Sequence, residues 1–166
     1  LETNINTFGN EFCLGASQLI NIYTPYAFYF SDNIFTVQLS DTNGNFSNPV
    51  AIGALASSTG GSTVITFPEN LPVSSKYRVR VVSSRPRSIG QDNGIDLILS
   101  KEYSELADID TMNYYCAGEG INILFRANKC FNPNNKFNLE LSDTNGNFTS
   151  SKIIGVGEKT SGSISF

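Results

Sequence analysis

One octapeptide occurs twice in this chain, and its two copies lie 102 residues apart. The sequence Leu-Ser-Asp-Thr-Asn-Gly-Asn-Phe spans Leu39–Phe46 and again Leu141–Phe148. The spacing equals the length of one small domain, so the repeat predicts a tandem array of modules, whereas the length of 166 residues alone would suggest one domain. Arrays of small modules are usually built to extend and bind, and each module contacts mainly its neighbours.

The similarity continues on both sides of the octapeptide. Three further pairs of segments match: 13–15 with 116–118, 35–39 with 137–141, and 50–53 with 152–155. We therefore expect a first module over residues 8–104, a linker over 105–110 and a second module over 111–166. In this register residue 166 corresponds to about residue 64, so the second module is expected to be incomplete and to contain its N-terminal strands only.

Short apolar alternations separated by turn signals predict an all-β fold. Residues 34–39 and 77–82 alternate with the period of a strand. The Asn-Gly pair at Asn43 and Gly44 predicts a tight hairpin turn that returns to a partner strand over 50–52. About seven such strands are typical of a β-sandwich module. The side chains expected to point inward are Phe35, Val37, Leu39, Tyr77, Val79 and Val81.

Composition argues against several classes of function. The formal net charge is −4, whereas nucleic-acid-binding proteins carry a basic footprint. No apolar run approaches the length of a membrane span, so we expect no direct membrane insertion. The chain has no histidine, which removes the commonest general base and most zinc sites. No nucleophile elbow or phosphate-binding glycine loop is present either, so we expect a non-enzymatic chain that needs no cofactor.

The three cysteines are Cys13, Cys116 and Cys130. Cys116 and Cys130 lie at the two ends of a short apolar stretch and a loop, so a disulfide between neighbouring strands of the second module would fit. Cys13 would then have no partner. Alternatively, all three are buried thiols that pack as small hydrophobic residues. The disulfide requires an oxidising compartment.

One segment concentrates the basic side chains: Lys76, Arg78, Arg80, Arg85 and Arg87. Arg78 and Arg80 lie two residues apart on a predicted strand and therefore share its solvent face. This face could bind an anionic glycan. We favour the alternative, a solvated face whose cations pair with carboxylates of the next strand.

Two further kinds of segment are ambiguous. Residues 41–45 present alternating oxygen ligands, but the glycine is displaced from its place in an EF-hand loop and the bidentate glutamate is missing, so we favour a turn over a calcium site. Calcium remains an alternative there, at residues 92–96, and at a module boundary with Asp108 and Asp110.

A crowded aromatic segment could stack on sugars, although we favour packing within the sandwich. Its members are Tyr23, Tyr26, Phe28, Tyr29 and Phe30.

Residues 71–81 resemble the corner and the following strand of fibronectin type III modules, in which a tyrosine begins the strand. The resemblance implies that the ring of Tyr77 packs inward and that its hydroxyl bonds to nearby backbone.

The consensus formed by residues 33–41, 44–46, 52–53 and 77–84 resembles the immunoglobulin-like modules repeated in large cell-surface and secreted proteins of the Bacteroidetes. The resemblance covers residues 13–99 and 116–166. It implies tandem immunoglobulin-like β-sandwich modules, an extracellular location at the bacterial cell surface or in secreted form, and export by the type IX secretion system. In such proteins the tripeptide at Asp110-Thr-Met resembles an O-glycosylation motif, which would place a glycan on Thr111.

Two functions follow from this resemblance. The first is a non-catalytic role as adhesive or stalk modules, including the gliding-motility adhesins of the family. Its partners would be neighbouring modules of the same polypeptide and surface polysaccharide or other cell-surface proteins. The second is a role as spacer or carbohydrate-binding accessory modules of a secreted hydrolase. A further interpretation, in which another chain supplies a strand to the incomplete second module, is less favoured than simple truncation.

Overall fold

A computed structural model describes residues 2–4, 9–24, 29–108, 114–116, 118–132, 134–157 and 161–165. Every regular element within these ranges is a β-strand, so the all-β prediction is confirmed. No helix in the same ranges has the length and apolarity to cross a membrane. The chain divides into two compact units, unit 1 over Leu1–Lys101 and unit 2 over Glu102–Phe166.

Unit 1 consists of three small sheets. Its strands are β1 (Glu2–Asn4), β2 (Glu11–Cys13), β3 (Ser17–Tyr23), β4 (Ile34–Leu39), β5 (Val50–Ala56), β6 (Gly61–Thr66), β7 (Ser74–Tyr77), β8 (Val79–Ser84), β9 (Arg87–Asp92) and β10 (Leu97–Ser100). The sheet orders are β1-β3-β6, β5-β4-β8-β9 and β2-β10-β7. The pair of β2 with β10 is parallel, and the other pairs in this unit are antiparallel.

Alternating side chains from these sheets form one core. The inward residues of β4 and of the β7–β8 run are at most 1% exposed, which confirms both predicted inward faces. They pack with Ile20 and Ile22 of β3 and with Ile65 of β6. Full burial of one such side chain contributes about 1.5–3 kcal/mol. The pattern of one buried and one solvated face is therefore what holds β4 and β8 in register.

Tyr77 closes the corner at the start of the β7–β8 run. Its side chain is buried, and its hydroxyl donates a hydrogen bond to the carbonyl oxygen of Pro72 at 2.8 Å. Burial raises the pKa of this hydroxyl, and the negative charge of Asp41 raises it further. The hydroxyl-to-backbone contact expected of Tyr77 is therefore present.

Unit 2 repeats the strand pairings of the first half of unit 1. Its strands are β11 (Ser104–Asp108), β12 (Asn122–Ala127), β13 (Phe137–Leu141), β14 (Lys152–Gly157) and β15 (Ser161–Ser165). The sheet β11-β12-β15 corresponds to β1-β3-β6, and the pair β13-β14 corresponds to β4-β5. Its buried apolar residues are fewer, namely Ile123, Phe125 and Leu139 among those described. The ring of Phe137 packs against the ring of Phe125 at 4.9 Å between centroids.

The predicted linker over 105–110 is wrong for most of its length. Residues 104–108 form β11, which pairs antiparallel with β12, and the boundary between the units falls after Lys101. Residues 109 and 110 lie outside the described ranges. The segment lacks an apolar alternation because β11 is an edge strand whose Leu106 is half exposed.

The turn predicted at Asn43 and Gly44 is part of a longer connection. β4 and β5 do form an antiparallel hairpin, but their last paired residues are Leu39 and Val50, so ten residues connect them. The Asn-Gly pair therefore shapes a loop and is not itself a two-residue hairpin turn.

Candidate functional site

The repeated octapeptide forms a loop closed by its own aspartate. The Asp41 carboxylate Oδ1 accepts hydrogen bonds from the backbone N–H groups of Asn43 and Asn45, both at 2.9 Å. The backbone N–H of Asp41 donates to the carbonyl of Asn45 at 2.8 Å, and the N–H of Gly44 donates to the carbonyl of Asp41 at 3.1 Å. Gly44 has φ of +82°, a left-handed conformation that glycine adopts without strain.

The second copy adopts the same geometry. Asp143 Oδ1 accepts from the N–H groups of Asn145 at 2.8 Å and Asn147 at 2.9 Å. Gly146 again has φ of +82°. In unit 1 the loop also contacts the β7–β8 run, because Ser74 Oγ donates to the carbonyl of Thr42. Unit 2 has no counterpart of that run within its described residues, so the octapeptide encodes its loop locally.

These hydrogen bonds set the electrostatics of both aspartates. Hydrogen bonds from backbone N–H groups hold the pKa of Asp41 below its usual value, with the largest effect from Asn45 and the next from Asn43. The equivalent N–H groups lower the pKa of Asp143 in the same order. Each carboxylate therefore serves as a loop-closing acceptor, as the turn interpretation expects.

The other carboxylates considered for calcium have different surroundings. Asp92 and Asp96 both form ion pairs with Arg78, and Asp92 also accepts from the N–H of Gly94 at 2.8 Å. Asp110 lies outside the described ranges. Within them, no three His, Cys, Asp or Glu side chains gather as a metal-binding group.

Arg78 is the most strongly paired member of the basic segment. Its Nε lies 2.6 Å from Asp96 Oδ1, and its Nη1 lies 3.4 Å from Asp92 Oδ1. The hydrogen bond that Arg78 donates to the Asp96 carboxylate is the main reason that the pKa of this guanidinium is raised. Asp92 belongs to β9, the strand that follows β8. Arg78 therefore pairs with a carboxylate of the next strand, as we expect for a solvated strand face.

Arg80 and Arg85 each make one polar contact and one contact with an aromatic ring. Arg80 Nε donates to Gln38 Oε1 at 2.8 Å, and its guanidinium lies 4.4 Å from the centroid of the Phe46 ring. Arg85 forms an ion pair with Asp32 and lies 5.4 Å from the centroid of Phe30. These contacts anchor both arginines against neighbouring segments of unit 1.

The five basic side chains differ in their pairing. Arg80 and Arg85 are separated by about 16 Å along an extended strand. Lys76 and Arg87 are exposed, and neither makes an ion pair with another described residue. Arg78 and Arg85 are therefore paired with carboxylates of unit 1, and binding of an anionic ligand by this segment stays a prediction.

The aromatic segment divides between core and surface. Tyr29 packs edge-on against Phe35 at 4.8 Å between ring centroids, whereas Phe30 and Tyr23 are at least half exposed. Tyr26 and Phe28 lie outside the described residues, as does the candidate glycosylation site Thr111.

The predicted disulfide between Cys116 and Cys130 is wrong, and so is the expectation that Cys13 has no partner. Cys13 and Cys130 are disulfide-bonded, whereas Cys116 is a free, exposed thiol. Cys116 begins a turn in which its carbonyl accepts from the N–H of Glu119 at 3.0 Å and its own N–H donates to the Glu119 carboxylate at 2.9 Å. Nearness in sequence does not determine the pairing of cysteines, and the alternative of three buried thiols is equally wrong.

The outer edge of β13 is the part of unit 2 to which the interpretation of an added strand applies. In unit 1, β4 lies between β5 and β8. In the described part of unit 2, β13 pairs with β14 alone. A groove of about 330 Å³ beside it is lined by Leu106, Phe125, Phe137, Leu139 and Phe148, among others. The signal for this edge was the repeat register, which contains no counterpart of β8 in the second copy.

No family model and no curated protein matches this chain.

Proposed function

We propose that this chain is a repeat segment of a large extracellular surface protein, in which immunoglobulin-like β-sandwich modules act as adhesive or stalk elements without catalysis. The observation that carries the proposal is the structural repeat itself. Unit 2 repeats the β1-β3-β6 and β4-β5 pairings of unit 1, and both octapeptides form the same aspartate-closed loop. A residue pattern that recurs for structural reasons supports a module built to be repeated.

Two features of unit 1 support the immunoglobulin-like interpretation. Sheets that are antiparallel except for the β2–β10 pair enclose one apolar core, and a buried tyrosine closes a corner by bonding to backbone. The disulfide-bonded cysteines support an oxidising compartment, which fits a location outside the cell.

The proposed partners are neighbouring modules and surface polysaccharide or other cell-surface proteins. The charges of Arg78 and Arg85 are already compensated within unit 1. Lys76 and Arg87 are exposed and make no ion pair with another described residue, so an anionic partner would meet these cations, which favours weak contacts repeated along an array over one tight site.

The proposal is tested on intact cells that make this protein. Fab fragments raised against unit 1 should label unpermeabilised cells or their secreted material, and should reduce attachment of the cells to a surface. Labelling only after permeabilisation would overturn the extracellular assignment. The polypeptide captured by the same Fab is then assayed for glycoside hydrolysis, and activity in that fraction would favour the accessory-module alternative.

A further inference from the structure

The outer edge of β13 has a counterpart in unit 1 that shows what covers it. There β8 pairs antiparallel with β4 over five consecutive positions. The paired residues are Phe35 with Ser83, Thr36 with Val82, Val37 with Val81, Gln38 with Arg80, and Leu39 with Val79. Shifted by the repeat distance, the same register would place these partners opposite residues 137–141.

Two side chains next to this edge are better covered in unit 1 than their repeat counterparts are in unit 2. Leu39 is 0% exposed, whereas Leu141 at the same repeat position is 55% exposed. Phe46 lies beneath the guanidinium of Arg80, whereas Phe148 is 61% exposed. The groove described above lies against the same strand. Apolar surface at a strand edge is the arrangement that binds an added strand.

Two backbone N–H groups of β13 point toward its outer edge, as their counterparts on β4 point toward β8. In unit 1 the N–H of Ile34 donates to Ser84 Oγ at 2.8 Å, and the N–H of Ser40 donates to the carbonyl of Arg78 at 2.9 Å. Because N–H directions alternate along a strand, the even-numbered residues of β4 face β8. The equivalent N–H groups in unit 2 belong to Asn138 and Glu140.

Charge specifies one position of the strand that would fit. The side chain of Gln38 accepts a hydrogen bond from Arg80 in unit 1. Its repeat counterpart is Glu140, whose Oε2 accepts from Ser151 Oγ at 2.7 Å. An arginine at the position of Arg80 would meet a carboxylate on one side and the ring of Phe148 on the other. Such a charged hydrogen bond is stronger than the neutral one in unit 1.

We propose that the outer edge of β13 is a docking site for one added antiparallel strand of the β8 type. The occupant is an extended peptide segment with apolar side chains at the positions of Tyr77, Val79 and Val81 and an arginine at the position of Arg80. It adds to the β13-β14 pair as β8 adds to β4-β5, and it covers the groove. This docking does not depend on the adhesive role proposed above.

The test uses a fluorescein-labelled peptide with the sequence of residues 74–84 and the full 166-residue chain. Fluorescence anisotropy should show saturable binding, and a scrambled peptide should not bind. Asn138→Pro removes one edge donor while leaving the side of β13 that faces β14, and it should weaken binding at least about tenfold. Asn138→Ala keeps the donor and should bind as the parent chain does.

A charge swap separates docking from general stickiness. Glu140→Lys should weaken binding of the parent peptide, and a peptide with Arg80→Glu should bind Glu140→Lys better than it binds the parent chain. Glu140 is exposed, so this variant tests the site without disturbing the core. The absence of saturable binding to the parent chain would overturn the proposal. Binding of the parent peptide to Asn138→Pro and to Glu140→Lys as tight as its binding to the parent chain would also overturn it. Self-association that Asn138→Pro abolishes would instead assign the edge to a second copy of the chain, and would overturn it too.

Discussion

A matched pair of leucines gives the most quantitative prediction. Leu39 and Leu141 occupy the same place in the two octapeptides, but Leu39 is 0% exposed and Leu141 is 55% exposed. Leu39→Ala leaves a cavity between packed strands, so we expect unit 1 to lose about 3 kcal/mol of unfolding free energy. Leu141→Ala removes a side chain that is already half in water, so we expect unit 2 to lose less than about 1 kcal/mol.

Urea denaturation followed by hydrogen exchange and mass spectrometry can measure each unit separately. With an m-value of about 1.5 kcal/mol/M, a loss of about 3 kcal/mol lowers the midpoint of unit 1 by about 2 M. The midpoint of unit 2 in Leu141→Ala should fall by under about 0.7 M on the same basis. Equal losses in the two units would refute the reasoning, because they would mean that Leu141 is as well covered as Leu39.

Three further predictions concern local contacts. Tyr77→Phe removes a buried hydroxyl from its backbone acceptor, so unit 1 should lose about 1–2 kcal/mol, and an unchanged calorimetric Tm would contradict the corner contact. Gly44→Ala should destabilise unit 1 more than Gly146→Ala destabilises unit 2. Both glycines have φ of +82°, so both substitutions are strained. Only at Gly44 does the added Cβ meet a backbone oxygen of β7, at 3.2 Å, whereas at Gly146 it meets nothing within 4 Å. Equal losses in urea melts would argue against that contact. Because the pKa values of Asp41 and Asp143 are lower in the folded chain, their contribution is complete above the unfolded value of about 3.9 and is lost as pH falls through the folded values. The double alanine variant should therefore show a shallower fall in stability at acidic pH, and a fall as steep as that of the parent would exclude the loop-closing role.

Strands with one buried face could be predicted from the sequence. β4 and β8 alternate because every second side chain enters the core, and that burial leaves a period of two in the residues. The role of Tyr77 was also predictable, since a tyrosine at the start of such a strand can satisfy backbone at a corner. The octapeptide repeat was visible as plain identity.

Edge strands could not be predicted in this way. β9 and β11 are joined to β8 and β12 through backbone hydrogen bonds, and few of the described side chains of either strand enter a core. Their sequences therefore carry no apolar alternation. For this reason the sequence predicts a linker where the structure has β11.

Contacts between residues far apart in the sequence could not be predicted either. Arg85 meets Asp32, which is 53 positions away, and neither residue's neighbourhood indicates the other. Spacing alone favours Cys116 as the partner of Cys130, but Cys116 is a free, exposed thiol.

Amide hydrogen exchange by NMR tests the central claim most directly, namely that β13 repeats β4 but has an open outer edge. The account predicts slow exchange at Thr36 and Gln38, which face β8. At Asn138 and Glu140 it predicts fast exchange, although the amide of Leu139 between them, which faces β14, stays protected. Protection of Asn138 and Glu140 as strong as that of Leu139 would contradict the account, because the outer edge of β13 would then already be paired.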